Sequence, residues 1–261
     1  LENVGLALMD LGIQKGDRVA LKAHNGVRWT WADTGSLMAG AATVSVYPSL
    51  SKDETLRIYD NSRFRLMFID TPELLEETIK YIAEMPDVKY LVCLQKGFKG
   101  DGQLTFGLDE ILSRGAALRE TRLDALKERV NSLTADDPAT MVYTSGTTGN
   151  LKGVMHTQKG LLYCPLRGFQ HLVKYGRVSD SNMVSMLTLP LSHIMEKCNG
   201  YYGPMAVGAC IAFAQAPATI LTDIQVIRPT WITLVPRVLA RLMVGFGNAF
   251  SASEAGKKLW D

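Results

Sequence analysis

The residues best suited to chemistry in this 261-residue chain are concentrated in one short segment. Met141-Val142-Tyr143-Thr144-Ser145-Gly146-Thr147-Thr148-Gly149-Asn150-Leu151-Lys152-Gly153-Val154 sets three glycines, four aliphatic hydroxyls and one lysine directly after an apolar run with strand character. Glycines let the backbone aim successive N–H groups at one point, the hydroxyls of Thr144, Ser145, Thr147 and Thr148 add donors, and Lys152 supplies a full charge. That set suits a polyphosphate. Hydrogen bonds to a charged group contribute about 1.5–3 kcal/mol each, so several converging donors hold such a ligand even in water. A surface turn with an incidental lysine is the ordinary reading of a loop with two glycines, but the density of glycine and hydroxyl here exceeds it.

Spacing removes two commoner explanations. Counting from Gly146, the pattern GxxxxGK(S/T) fails, and Lys152 is followed by Gly153 rather than a hydroxyl residue. Ser145 is not a GxSxG nucleophile either, because Tyr143 stands two positions before it.

Elements that alternate between strand and helix must position this loop. Arg18–Ala23, Thr43–Tyr47, Leu66–Ile69 and Lys89–Leu94 read as short strands. Trp29–Gly40, Asp53–Asn61 and a segment opened by Thr71 and Pro72 and running to about Met85 read as helices. Thr71 has the side chain of an N-cap and Pro72 the fixed φ of a first helical residue. Gln95–Leu108 reads as a loop, Asp109–Leu133 as a charged helix, and Asp136-Asp137-Pro138 as a break. A second series follows: a strand at Thr140–Tyr143, the glycine-rich loop, a helix around Leu161, a strand at Met183–Leu189 and a helix from Ser192. After these come a strand at Cys210–Phe213, a helix at Ala218–Ile227, a strand at Trp231–Leu234 and a helix from Pro236. The expected fold class is therefore α/β, with two alternating strand/helix subdomains, residues 1–135 and 136–261, whose sheets are largely parallel and flanked by helices.

Composition narrows the function. Hydrophobic residues make up 47% and charged residues 21% of the chain, with a formal net charge of +2, enough apolar surface for a large core and no basic tract for nucleic acid. Cys93, Cys164, Cys198 and Cys210 form no CxxC pair and have no histidine at a ligand-like offset, which fits reduced thiols and a cytoplasmic setting. The most apolar tract, Pro204–Ile220, is broken by prolines, Gly208 and Gln215, so no transmembrane segment is expected, and a peripheral membrane contact stays compatible with the sequence. The chain opens within a helical pattern and ends on Lys257-Lys258-Leu259-Trp260-Asp261 without a stop signal, so it is expected to be a fragment whose partner is the remainder of its own chain.

Tyr143–Gly153 resembles the YTSGTTGxPKG signature of adenylate-forming enzymes, the superfamily of acyl-CoA ligases, luciferases and peptide-synthetase adenylation domains. It departs only at Leu151, where the family carries proline. Losing that rigid residue suggests a looser loop with its polar groups intact. Lys15-Gly16-Asp17-Arg18-Val19-Ala20, Ala39-Gly40-Ala41 and Tyr47-Pro48 resemble early passages of the same enzymes. Leu189-Pro190-Leu191-Ser192-His193-Ile194-Met195-Glu196 resembles the LPLxHIxER segment of long-chain acyl-CoA synthetases, with Lys197 in place of arginine, and Val235-Pro236-Arg237-Val238 resembles their VPRV segment. The resemblance covers nearly the whole chain in order.

It implies a two-step reaction in which a fatty acid carboxylate attacks the α-phosphate of ATP complexed with Mg2+, releasing pyrophosphate, and the thiol of coenzyme A then displaces AMP. Carried over residue by residue, Thr144, Ser145, Gly146, Thr147, Thr148, Gly149 and Lys152 hold phosphates, Lys152 and His193 serve catalysis, and His193 with Glu196 lies at the acyl pocket. An isolated histidine beside apolar residues is more often structural, and only the resemblance lifts His193 above that. No protein metal ligand is assigned. Tyr201, Tyr202, Met205, Phe213 and Trp231 suit an acyl tunnel, although core packing is their ordinary role. Alternatives are an adenylation domain loading a carrier protein, and a non-catalytic nucleotide- or acyl-binding module. The segments that grip adenine and ribose in these enzymes are absent before Asp261, so the isolated fragment is expected to be inactive.

Overall fold

A computed structural model describes residues 1–144, 151–174 and 183–251, without the side chains of residues 164, 172, 173, 241 and 246–251. Two compact units are present. The first comprises Leu1–Tyr163 with Leu191–Ile194, and the second Cys164–Pro190 with Met195–Asp261.

The first unit runs α1 (Glu2–Asp10), β1 (Arg18–Lys22), α2 (Val27–Met38), β2 (Ala42–Val46), α3 (Lys52–Ser62), β3 (Leu66–Ile69), α4 (Pro72–Ile79), β4 (Tyr90–Cys93), β5 (Thr105–Gly107), α5 (Leu108–Asn131), β6 (Pro138–Thr144) and β7 (Lys152–Thr157). Its seven strands form one sheet in the order β5-β4-β3-β1-β2-β6-β7, parallel throughout except for the antiparallel β6–β7 edge. Parallel central strands are covered on both faces and therefore carry unbroken apolar runs, as Leu66-Met67-Phe68-Ile69 does, each side chain fully buried. Alternation sends Met67 and Ile69 to one face, where they join Val44, Met141, Ile58 and Tyr59 of α3 and Leu75 of α4. The other face is covered by α1, α2 and α5, which pack on one another.

Local signals start the helices. Ser51 and Glu54 form a reciprocal capping box on α3, and the Thr71 hydroxyl accepts from Leu74 N–H with Pro72 opening α4. Helix α4 ends at Ile79, and a 3-10 turn at Ile82–Glu84 replaces its expected last turns.

The second unit contains a three-stranded parallel sheet in the order β10-β8-β9. Its elements are most of α6 (Gln158–Lys174), then β8 (Val184–Leu187), a π-helical turn at Glu196–Tyr202, α7 (Gly203–Ala206), β9 (Cys210–Phe213), α8 (Ile220–Ile227), β10 (Trp231–Ile232) and α9 (Pro236–Ser251). Met186, Ile220 and Leu242 centre its core.

The expected division at 135/136 does not coincide with the compact units. The Asp136-Asp137-Pro138 break is a turn, not a linker: Asp137 accepts from Thr134 N–H at 2.6 Å and pairs with Lys15 at 2.8 Å. Strand β6 then enters the first sheet beside β2, so the units separate within α6. The helix expected from Ser192 begins at residue 194 and passes through the π-helical turn at Glu196–Tyr202 into α7.

Candidate functional site

Thr144 and Lys152 are cross-strand partners at the last pair of the β6–β7 hairpin, and both are exposed. They flank the glycine-rich segment. Ser145, Gly146, Thr147, Thr148 and Gly149 lie outside the described residues. Thr144 ends β6 at the carboxyl edge of the parallel sheet, because β6 runs parallel to β2 and β2 to β1.

The hairpin is anchored from below. Thr43 and Thr140, both fully buried, satisfy each other across β2 and β6 through hydroxyls 3.0 Å apart, and Thr140 Oγ1 also donates to Thr43 O at 3.0 Å. The Tyr143 hydroxyl donates to Asn61 Oδ1 at 2.7 Å, and burial of this phenol pushes its pKa up. Leu151, the departure from the family pattern, is partly buried against the core cluster that contains Tyr143 and Ile58. Apolar packing thus fixes the limb that a proline would have stiffened.

His193 belongs to the same unit. Its segment is held at the carboxyl edge as well, since Leu191 N–H donates to Asn25 Oδ1 at 2.7 Å and Asn25 follows β1. Strands β1 and β6 are separated by β2 alone, a spacing of about 10 Å at two inter-strand distances. The two halves of the expected site, far apart in sequence, therefore share one edge of one sheet. His193 is exposed there and Ser192 beside it is buried.

Not foreseeable from sequence is a cleft of about 380 Å³ at this edge, lined by His24, Asn25 and Arg28 after β1, Asp70 after β3 and Lys96 after β4. It lies where β1 leads to α2 on one face and β3 to α4 on the other, the switch point at which open α/β sheets bind ligands.

Glu196 belongs to the second unit and is fully buried. Its Oε1 accepts from Thr188 N–H at 2.8 Å, while Oε2 is buried without a hydrogen-bond partner. Burial raises its pKa to about 7 against the opposing pull of the Thr188 and Leu189 N–H groups. The carboxylate faces the backbone at the end of β8 rather than an open surface. Of the apolar set, Tyr201 and Tyr202 are buried with ring centroids 4.8 Å apart, and Trp231 lies 4.7 Å from Phe169 and donates Nε1–H to Asn199 O at 2.9 Å. Cys93 is buried, and Cys198 and Cys210 are free thiols. No described helix is long and apolar enough to cross a membrane.

Known proteins resemble this chain over most of its length. A long-chain-fatty-acid–CoA ligase of Rattus norvegicus (ACSBG1) is 28% identical over 244 residues, 92% of this chain and 33% of that protein. A chloroplastic long-chain-fatty-acid–[acyl-carrier-protein] ligase of Arabidopsis thaliana (AEE15) is 29% identical over 95% of this chain and 34% of that protein. The chain thus spans about a third of the length of these relatives. Among solved structures, the anthranilate CoA ligase AuaEII in complex with anthranoyl-AMP superimposes with a TM-score of 0.69 at 22% identity, over 93% of this chain and 44% of that one. The A-PCP didomain of a carboxylic acid reductase from Segniliparus rugosus, in complex with AMP, gives 0.76 at 18% identity, over 99% of this chain and 39% of that one. These two likenesses concern the fold. The AMP-binding enzyme family matches residues 1–258, and the chain belongs to it.

Proposed function

We propose that this chain is the phosphate-holding part of an enzyme that activates a fatty acid with ATP to an acyl-adenylate and passes the acyl group to coenzyme A. The observation that carries the reading is the Thr144–Lys152 pair, which closes the glycine-rich loop at the carboxyl edge that also holds the His193 segment. In this reading Lys152 and the loop hydroxyls hold the β- and γ-phosphates before transfer. They stabilise the charge that develops as the bond from the α-phosphorus to the bridging oxygen breaks and pyrophosphate departs. His193 stands at the entry of the acyl carboxylate and orients it by hydrogen bonding.

Magnesium would enter as the complex with ATP and neutralise phosphate charge. Among the described residues no cluster of three or more His, Cys, Asp or Glu side chains could hold a metal ion. Glu196, buried on the backbone of the β8 end, makes no contact with substrate in this reading.

A second acceptor has its own support. The Arabidopsis thaliana relative is named for an acyl carrier protein, as similar to this chain as the CoA ligases are, and a carrier thiol would displace AMP by the same chemistry. ATP–pyrophosphate exchange on the full-length protein that contains this chain, with palmitate, octanoate and acetate, tests the activation step. Acyl transfer to coenzyme A or to a holo carrier protein then separates the acceptors. Palmitate-dependent exchange supports the reading, and exchange that ignores every acid contradicts it.

A further inference from the structure

Lys152 and Thr144 stand where the hairpin puts them, and the hairpin rests on a residue outside the loop. Tyr143 precedes Thr144, so its side chain leaves the opposite face of β6 and enters the core. There its hydroxyl donates to Asn61 Oδ1 at 2.7 Å and lies 3.4 Å from Ile58 O. Gly153 faces Tyr143 across the hairpin. A Cβ on Gly153 would lie 2.9 Å from Asn61 Oδ1 and 2.9 Å from Tyr143 Cζ, so a missing side chain is what brings β7 down onto this pair. Both limbs of the loop therefore bear on the Asn61 carboxamide, one by a hydrogen bond and the other by close contact.

The support itself is fixed. Asn61 lies in the last turn of α3, whose first turn is closed by the Ser51–Glu54 capping box. Its middle is tied to β1 by Lys22 Nζ donating to Thr55 Oγ1 at 3.0 Å. Its last turns are tied to the segment before β4 by the Tyr59 hydroxyl, which donates to Asp87 Oδ2 at 2.7 Å and accepts from Asp87 N–H at 2.9 Å. Leu151 packs against the same core cluster as Tyr143. Asn61 as a whole is exposed, so the sheet does not depend on it for its core.

We propose that Asn61 is a positioning residue for the phosphate loop, registering Thr144 and Lys152 against the phosphates through Tyr143 and Gly153. The proposal rests on the loop's reading as the pyrophosphate-holding site. A displacement of about 1 Å in such a group can lower a rate about a hundredfold, because the stabilisation is directional.

The test is palmitate-dependent ATP–pyrophosphate exchange by the full-length protein, together with melting temperature and amide hydrogen exchange across residues 144–153. Asn61→Ala is expected to lower kcat about ten- to a hundredfold, with the KM for palmitate and the melting temperature unchanged and hydrogen exchange across 144–153 accelerated. Asn61→Asp, whose carboxylate accepts the same hydrogen bond, is expected to restore most of the rate. Tyr143→Phe should match Asn61→Ala, and the double variant should be no worse than either single one, as for two residues acting through one contact.

Wild-type kcat in Asn61→Ala, a loss that Asn61→Asp does not relieve, or additive losses in the double variant would each overturn the proposal. If the wild-type protein shows no acid-dependent exchange, the functional reading fails separately. Hydrogen exchange then decides the clamp: acceleration confined to 144–153 in Asn61→Ala upholds it, and an unchanged profile overturns it.

Discussion

Replacing Glu196 with glutamine isolates a carboxyl that burial makes harder to ionise in the folded chain. The side chain is fully exposed to solvent in the unfolded chain and fully buried in the folded one, where its pKa rises from 4.5 to about 7 because burial outweighs the Thr188 and Leu189 N–H groups. Between those values the folded state keeps a proton that the unfolded state has released. Stability therefore falls as pH rises across that window, the reverse of a salt-bridged carboxylate. At about 1.4 kcal/mol per pH unit, the cost of Glu196 relative to a neutral group grows by about 2.5 kcal/mol between pH 5 and pH 8. Glutamine keeps the shape and an oxygen for Thr188 N–H but has no proton to lose. Urea unfolding of wild type and Glu196→Gln at both pH values, followed by circular dichroism and by hydrogen exchange at β8, measures the term directly. Every other titrating group cancels in the comparison. The difference in stability should move by about 2–3 kcal/mol in favour of glutamine at pH 8. A difference that does not change with pH, or that moves in favour of glutamate, would refute the assignment of this carboxyl as an unrelieved buried charge.

Lys152→Ala should lower acid-dependent exchange by about two to three orders of magnitude, the effect of removing one preorganised charged donor, with an unchanged melting temperature because the side chain is exposed. Gly153→Ala should destabilise the first unit by about 1–3 kcal/mol in urea unfolding, since the new Cβ meets Asn61 Oδ1 and Tyr143 Cζ, each at 2.9 Å. Ser51→Ala removes the cap of α3 and should cost about 1 kcal/mol, read in the same experiment. Met186→Ala, at the centre of the second unit's core, should cost about 2–5 kcal/mol.

What was legible in the sequence followed from signals that act locally. The run Leu66–Ile69 was readable to the residue because a buried parallel strand needs no polar face and Asp70 ends it. Thr71-Pro72 marked the start of α4 by its own chemistry. The glycine-rich segment stood out as a candidate because its glycines and hydroxyls cluster within a few positions.

Elements defined by tertiary pairing were not legible. Strand β7 is an edge strand whose first four residues, Lys152–Met155, are exposed, so it carries no buried apolar stripe to read. Strand β5 is three residues within a Gly-rich stretch and exists because Leu91, Val92 and Cys93 pair with it. The Asp136-Asp137-Pro138 break is real as a turn, but only the sheet shows that β6 continues the first unit. Glu196 one turn after His193 gave no sign of its burial, and nothing in Asp60-Asn61-Ser62 indicates that the middle residue meets Tyr143, more than eighty positions later.

The most direct test of the central claim is palmitate-dependent ATP–pyrophosphate exchange by the full-length protein, compared with its Lys152→Ala variant. Exchange should require a fatty acid, be strongest with palmitate over octanoate and acetate, and fall at least about a hundredfold on removal of Lys152. Exchange that persists undiminished without the lysine, or that no fatty acid elicits, would contradict it.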